Sequence, residues 1–136
     1  MQPNSLLAAS IPALLASLGT LPLPVSAQGV QGAGPGATLF GSTCMACHSI
    51  DASRVGPMLR GVVGRKVASV AGYEYSDALK RVRGRWDARR LEQWLTDPQS
   101  VAPGTRMAFS LASATDRAAV IQYLASTSVP PGAAKR

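Results

Sequence analysis

The chain reads as all-α, with four to five short helices separated by long loops. Three observations carry this. Apolar residues recur at three- and four-residue spacing in separate segments, as in Leu91, Trp94 and Leu95 or Val120, Ile121 and Leu124, which is the period of a helix. No run of any length alternates apolar and polar residues as a half-buried strand would. Between the periodic segments lie stretches such as Gly56-Pro57 and Pro103-Gly104, built from the residues that break regular structure. A chain of 136 residues is enough for one domain.

Taken in order, residues 1–27 carry no charged side chain, and an apolar stretch from Ser5 to Leu18 is followed by Val25-Ser26-Ala27. This pattern predicts a secretory signal peptide cut after Ala27. An uncleaved membrane tether is the alternative, although Pro12 interrupts the apolar run and the run is short for a span. Residues 28–34 form a Gly- and Gln-rich lead-in, and the domain proper is expected over 35–126. Pro35 suits the first position of a helix expected to run to Ala46. Gly36, Phe40, Cys44 and Cys47 fall on one face of it, with Gly36 open to close approach by another helix. From Arg54 to Lys66 three glycines and a proline exclude a long regular element. A short helix is expected from Ser76 to Val82, stopped by Gly84. The next starts after Asp87, a suitable cap, and runs to Asp97, with Pro98 beyond its end. Val101 to Phe109 is a loop that contains Met107. Ser113 and Asp116 resemble a capping box for a last helix that ends near Ser126, and residues 127–136 read as a loose basic tail.

The formal net charge is +7, from 14 Lys and Arg against 7 Asp and Glu. Such a balance suits an acidic partner surface or transient contact with an anionic membrane. Aromatic residues are only 5% of the chain and no basic run is interleaved with them, so nucleic acid is the weakest reading.

The chemistry concentrates in Cys44-Met45-Ala46-Cys47-His48, which holds both cysteines and the single histidine. Two cysteines two residues apart with a histidine directly after them form the attachment signature of c-type haem. Each thiol adds to one vinyl group on the same porphyrin edge, and the adjoining imidazole is offered to the iron. The Pro57 carbonyl is placed to accept from the free ring nitrogen of His48, although an ordinary turn proline explains it equally well. With one histidine in the chain, two histidines cannot ligate the iron. The sixth position falls to a methionine, a water or a vacancy. Met107 is the strong methionine, because its Pro/Gly loop lies far from His48 in the chain, whereas Met45 and Met58 adjoin the motif. A haem-free thiol–disulfide or zinc site is the competing reading. It is weakened by the absence of further Cys or His ligands.

Over nearly all of 35–125 the chain resembles class I cytochrome c, in the bacterial branch near mitochondrial cytochrome c and cytochrome c2. The resemblance rests on Gly36 and Phe40 ahead of the haem motif, Gly56-Pro57-x-Leu59, Gly64-Arg65-Lys66, and Gly72-Tyr73-x-Tyr75-Ser76-x-Ala78. It continues through Trp86, Trp94-Leu95-x-Asp97-Pro98, Pro103-Gly104-Thr105-x-Met107-Ala108-Phe109 and Tyr123-Leu124. It implies the cytochrome c fold around one covalent haem c, with Cys44 and Cys47 as thioethers and His48 and Met107 as the axial pair. It further implies that Arg65, Tyr75 and Trp86 serve the haem propionate and that Pro57, Thr105 and Trp94 line the pocket. Trp94 stands where the family often has tyrosine and donates only through its indole N–H, which puts the usual hydrogen bonding beside the methionine in question. Arginines replace most of the lysines of the family's docking face. The implied function is a soluble, monomeric, periplasmic one-electron carrier and not an enzyme. Its donor would be a quinol–cytochrome c oxidoreductase (a cytochrome bc1-type complex), its acceptor a cytochrome oxidase or photosynthetic reaction centre. A haem enzyme or gas sensor with a labile sixth ligand is the alternative.

Overall fold

The computed structural model of the protein describes residues 34–128. The expected leader, the lead-in up to residue 33 and the tail from 129 lie outside the described residues. Helix α1 (Pro35–Leu39) begins where the Pro35 ring presets φ. The regular helix expected as far as Ala46 does not form. From Phe40 to Cys44 the chain opens into a π-helical turn, closed by Met45 N donating to Phe40 O at 3.1 Å. One extra residue per turn shifts the phase of everything that follows. The thiols are therefore delivered by a tight turn, in which Cys47 N and His48 N both donate to Cys44 O at 3.2 and 2.9 Å.

Short polar caps start the later helices, each satisfying one of the N–H groups a helix leaves unpaired. Ser76 accepts from Leu79 N ahead of α2 (Asp77–Arg81). Asp87 accepts from Arg90 N ahead of α3 (Ala88–Thr96). Ser113 accepts from Asp116 N ahead of α5 (Ala114–Ser126). Pro98 lies beyond the end of α3, as expected, and also starts the single turn α4 (Pro98–Val101). Asp97 closes α3, and its side chain caps α4 by accepting from Gln99 N at 2.9 Å.

The core forms where α1, α3 and α5 meet, around Phe40, Leu91, Leu95, Val120 and Leu124. Gly36 lets α1 and α5 touch backbone to backbone: a Cβ there would lie 2.1 Å from Ala119 O. The Phe40 and Tyr123 rings pack 5.3 Å apart beside this crossing. Arg117 joins α5 to α3 and to the preceding loop. Its Nε donates to Glu92 Oε1 at 2.6 Å, and Nη1 donates to Leu111 O and Ala112 O, each at 2.7 Å. Among the described residues no strand forms. The isolated antiparallel bridge Lys66–Arg85 ties the long loop to the start of α3. No described helix is long and apolar enough to cross a membrane.

Candidate cofactor site

A cavity of about 490 Å³ opens between the helical core and the two long loops, within the range of roughly 300–1,000 Å³ usual for cofactor sites. All the residues singled out from the sequence meet in its wall: Cys44, Cys47 and His48, Pro57 and Arg65, Tyr75 and Trp86, Trp94, Thr105 and Met107. Phe40, Leu79, Leu91, Leu95, Val120 and Leu124 supply much of the remaining surface. Among the described residues its only charged wall groups are Arg65 and Arg106. An apolar wall with cations and no acid fits a large flat apolar body that carries carboxylates. The covalent haem implied by the attachment motif has that chemistry.

His48 is positioned from two directions. Its Nδ1 lies 2.8 Å from Pro57 O. A carbonyl only accepts, so Nδ1 carries a proton, and Nε2 is the ring nitrogen left to face a ligand. Behind the ring stands Gly56, where a Cβ would come within 2.2 Å of His48 Cε1. The Gly56 segment is itself pinned to the motif: Gly56 N donates to Cys47 O at 2.8 Å, and Arg54 Nη1 donates to Met45 O at 3.1 Å. Gly56 entered the sequence reading as a loop glycine and as part of the Gly56-Pro57-x-Leu59 motif, with no role assigned to it. A glycine directly before the proline that faces the histidine was the available signal. No disulfide joins the two cysteines, so both sulfurs are open to attachment. Burial pushes the half-buried Cys44 thiol up, while Cys47 is exposed.

On the methionine side, Trp94 Nε1 donates to Met107 Sδ at 3.1 Å. The indole is a donor only, and here its one hydrogen reaches sulfur. Trp94 is buried and packs edge-on against Trp86, with ring centroids 5.2 Å apart. Gln99 of α4 holds the loop that leads to Met107, donating from Nε2 to Thr105 O at 3.0 Å and accepting from Gly104 N at 2.9 Å. Gly104 has φ +89°, a conformation that favours glycine. Thr105 is buried at the turn that follows. The sequence gives no helical signal for α4, so this staple was not foreseen.

Arg65 is anchored by Nη2 to Met58 O at 2.8 Å and Nη1 to Arg60 O at 3.0 Å, with N–H groups to spare for a ligand. Burial lowers its pKa from the ordinary arginine value, but guanidinium stays charged at neutral pH. Tyr75 accepts from Val70 N at 3.2 Å, and burial pushes its phenol up. Its hydroxyl therefore stays a neutral donor. Trp86 lines the cavity next to these two. At the mouth, Val55 and Phe109 are exposed lining residues at 75% and 43%. Tyr73 closes over the Val55 segment by donating to Val55 O at 2.7 Å.

Known proteins resemble this chain in family, sequence and fold. The family model "Cytochrome c" matches residues 33–128. Cytochrome c-type cyt cy of Rhodobacter capsulatus is 49% identical over 87 residues, an alignment that covers 62% of this chain but only 44% of that protein. Cytochrome c2 iso-2 of Magnetospirillum fulvum is 45% identical over 86 residues, covering 61% of this chain and 90% of the relative. Among solved structures, cytochrome cH from Methylobacterium extorquens superposes with a TM-score of 0.64 at 40% identity, over 68% of this chain and 95% of its own.

Proposed function

The chain belongs to the cytochrome c family and carries covalently bound haem c, and from that premise we propose that it is a one-electron carrier whose iron is ligated on both faces by its own side chains. In this reading Cys44 and Cys47 would form the thioethers, His48 Nε2 and Met107 Sδ would ligate the iron, and Arg65, Tyr75 and Trp86 would neutralise and bond the propionate. Bound haem supplies a reversible one-electron iron couple. The chain supplies the setting. Pro57 and Gly56 hold the imidazole in one tautomer and orientation. Trp94 and Gln99 hold the methionine and its loop. The apolar wall excludes water from the ring.

The observation that carries the reading is the pairing of two prearranged ligands in one cavity wall, His48 fixed by Pro57 O and Met107 by Trp94 Nε1. With His48 and Met107 both ligating, a substrate would have to displace Met107 to reach the iron. The exposed Val55 and Phe109 with Arg106 at the mouth suit brief docking against an acidic partner. The partners are a quinol–cytochrome c oxidoreductase or similar donor and a cytochrome oxidase or photosynthetic reaction centre as acceptor, met in the periplasm. The ferric holoprotein is expected to show the weak far-red band of methionine–iron ligation. Met107→Ala is expected to lose that band and to bind added imidazole. A wild-type protein without the band that takes imidazole as readily as the variant would overturn the reading in favour of an open-site enzyme or sensor.

A further inference from the structure

Ten residues, 81–90, hold five arginines and one acid. Among the described residues none of the five has an acidic partner. Asp51 pairs with Arg60, Glu74 and Asp77 with Lys80, and Glu92 with Arg117. The one local acid, Asp87, accepts from the backbone N of Arg90 as the α3 cap. Three of these arginines, Arg81, Arg83 and Arg90, line an open cleft of about 420 Å³ between the end of α2, the turn at Gly84 and the end of α4. No residue of this cleft is shared with the cofactor cavity.

The cleft is built on a stiff frame. Gly84 O accepts from Val67 N at 3.0 Å and Arg65 O accepts from Trp86 N at 2.8 Å, on either side of the Lys66–Arg85 bridge. Arg85 is drawn away by its bond to Gly64 O. Half-buried Arg90 is seated under the turn: Nη1 donates to Arg83 O, and a Cβ on Gly84 would lie 2.8 Å from that same nitrogen. Gly84 has φ +95°, so glycine serves both the turn and the space the guanidinium needs. The rest of the lining is apolar, and includes Val82, Val101 and Pro103. A preplaced fork flanked by two freer ones, with no acid in the wall, asks for an anion rich in acceptor oxygens. Guanidinium forks match phosphate bidentately, and a phosphate group offers more acceptors than a carboxylate to three of them.

We infer that the Arg81–Arg83–Arg90 cleft is a phosphate-binding site, separate from the haem mouth and available while a redox partner occupies that mouth. A free phosphoanion and a phospholipid headgroup share this chemistry, and two probes separate them. The full-length holoprotein is titrated at low ionic strength with inorganic pyrophosphate. In parallel it is sedimented with vesicles of equal parts phosphatidylcholine and phosphatidylglycerol. Saturable binding of at least one probe is expected, one-to-one for pyrophosphate, weakened about tenfold or more in the Arg81→Gln/Arg83→Gln variant and by less than about twofold in Arg89→Gln, which lies in the same stretch but outside the cleft. Binding of pyrophosphate identifies a free anion as ligand, and binding of vesicles alone identifies the headgroup. If neither probe saturates, or if Arg89→Gln loses as much as the double variant, the site does not exist. Should the double variant melt early, wild-type amide shifts on pyrophosphate or short-chain phosphatidylglycerol decide the matter. Shifts concentrated at Val82, Gly84 and Val101 support the site, and shifts spread over all exposed arginines overturn it.

Discussion

Trp94 spends its only polar hydrogen on Met107 Sδ, and that choice has an electronic consequence. A hydrogen bond to a thioether withdraws density from the sulfur and makes it a poorer donor to ferric iron, so it favours the reduced state. Trp94→Phe keeps an aromatic body against Trp86 but removes the donor. The midpoint potential of the holoprotein is expected to fall by about 20–60 mV, the one-electron equivalent of a single modest hydrogen bond, as read by spectroscopic redox titration. An unchanged potential would mean the bond is lost once Met107 meets the iron. Gly56 is the matching residue on the histidine side. Alanine there would put a methyl 2.2 Å from His48 Cε1, and the ring cannot retreat while Pro57 O and the neighbouring attachment site hold it. Gly56→Ala is expected to cost about 3 kcal/mol, a fall of roughly 12–24 °C in the melting of the holoprotein. The attachment motif and Met107 were legible in the sequence because each is a scarce residue type in a telling context. The role of Gly56 was not, because a missing side chain announces nothing until the ring it accommodates is in place.

At the scale of elements, helix starts were easy to read and helix phase was not. Ser76, Asp87 and Ser113 each put an oxygen where unpaired N–H groups need one. The π turn at Phe40–Cys44 escaped because one inserted residue leaves no compositional mark over so short a run. Helix α4 escaped because Pro98 serves as a stop for α3 and a start for the next turn, with Asp97 acting for both. The α3–α5 tie through Arg117 escaped too, since a lone arginine in a helix usually faces water. Its side chain is only 11% exposed. Arg117→Ala would strand Glu92 and two loop carbonyls, at a cost of about 2–4 kcal/mol visible in thermal melts. Arg60→Ala removes an exposed pair and is expected to change the melt far less. That exposed pair still has a pH signature. The Arg60 hydrogen bond holds the Asp51 carboxyl below its ordinary range. A depressed folded pKa stabilises above the unfolded value, near pH 4, and the contribution vanishes as pH falls through the folded value. Melting curves of wild type and Asp51→Asn should therefore differ slightly at neutral pH and converge in acid. A gap that widens in acid would contradict the pairing.

Over the whole molecule, positive charge is distributed in two unlike ways. Arg106 stands in the wall of the haem cavity at its mouth, while the cluster from Arg81 to Arg90 contributes no arginine to that cavity. The net charge of +7 predicts attraction to any acidic partner but does not say which face leads. Salt distinguishes them. Between low and high ionic strength the Debye length shrinks from about 30 Å to about 8 Å, so distant charges are silenced first and the contact face last. Second-order electron transfer to an acidic redox partner is expected to slow by about tenfold or more over that range, measured by stopped-flow reduction. Arg106→Gln should slow the reaction at every ionic strength and flatten the salt dependence. Arg89→Gln should act only at low salt, through the long-range field. Equal effects of the two variants at high salt would mean that the partner does not approach along the Phe109 and Arg106 mouth. Rates that ignore salt altogether would mean that apolar contact at Val55 and Phe109, and not charge, governs docking.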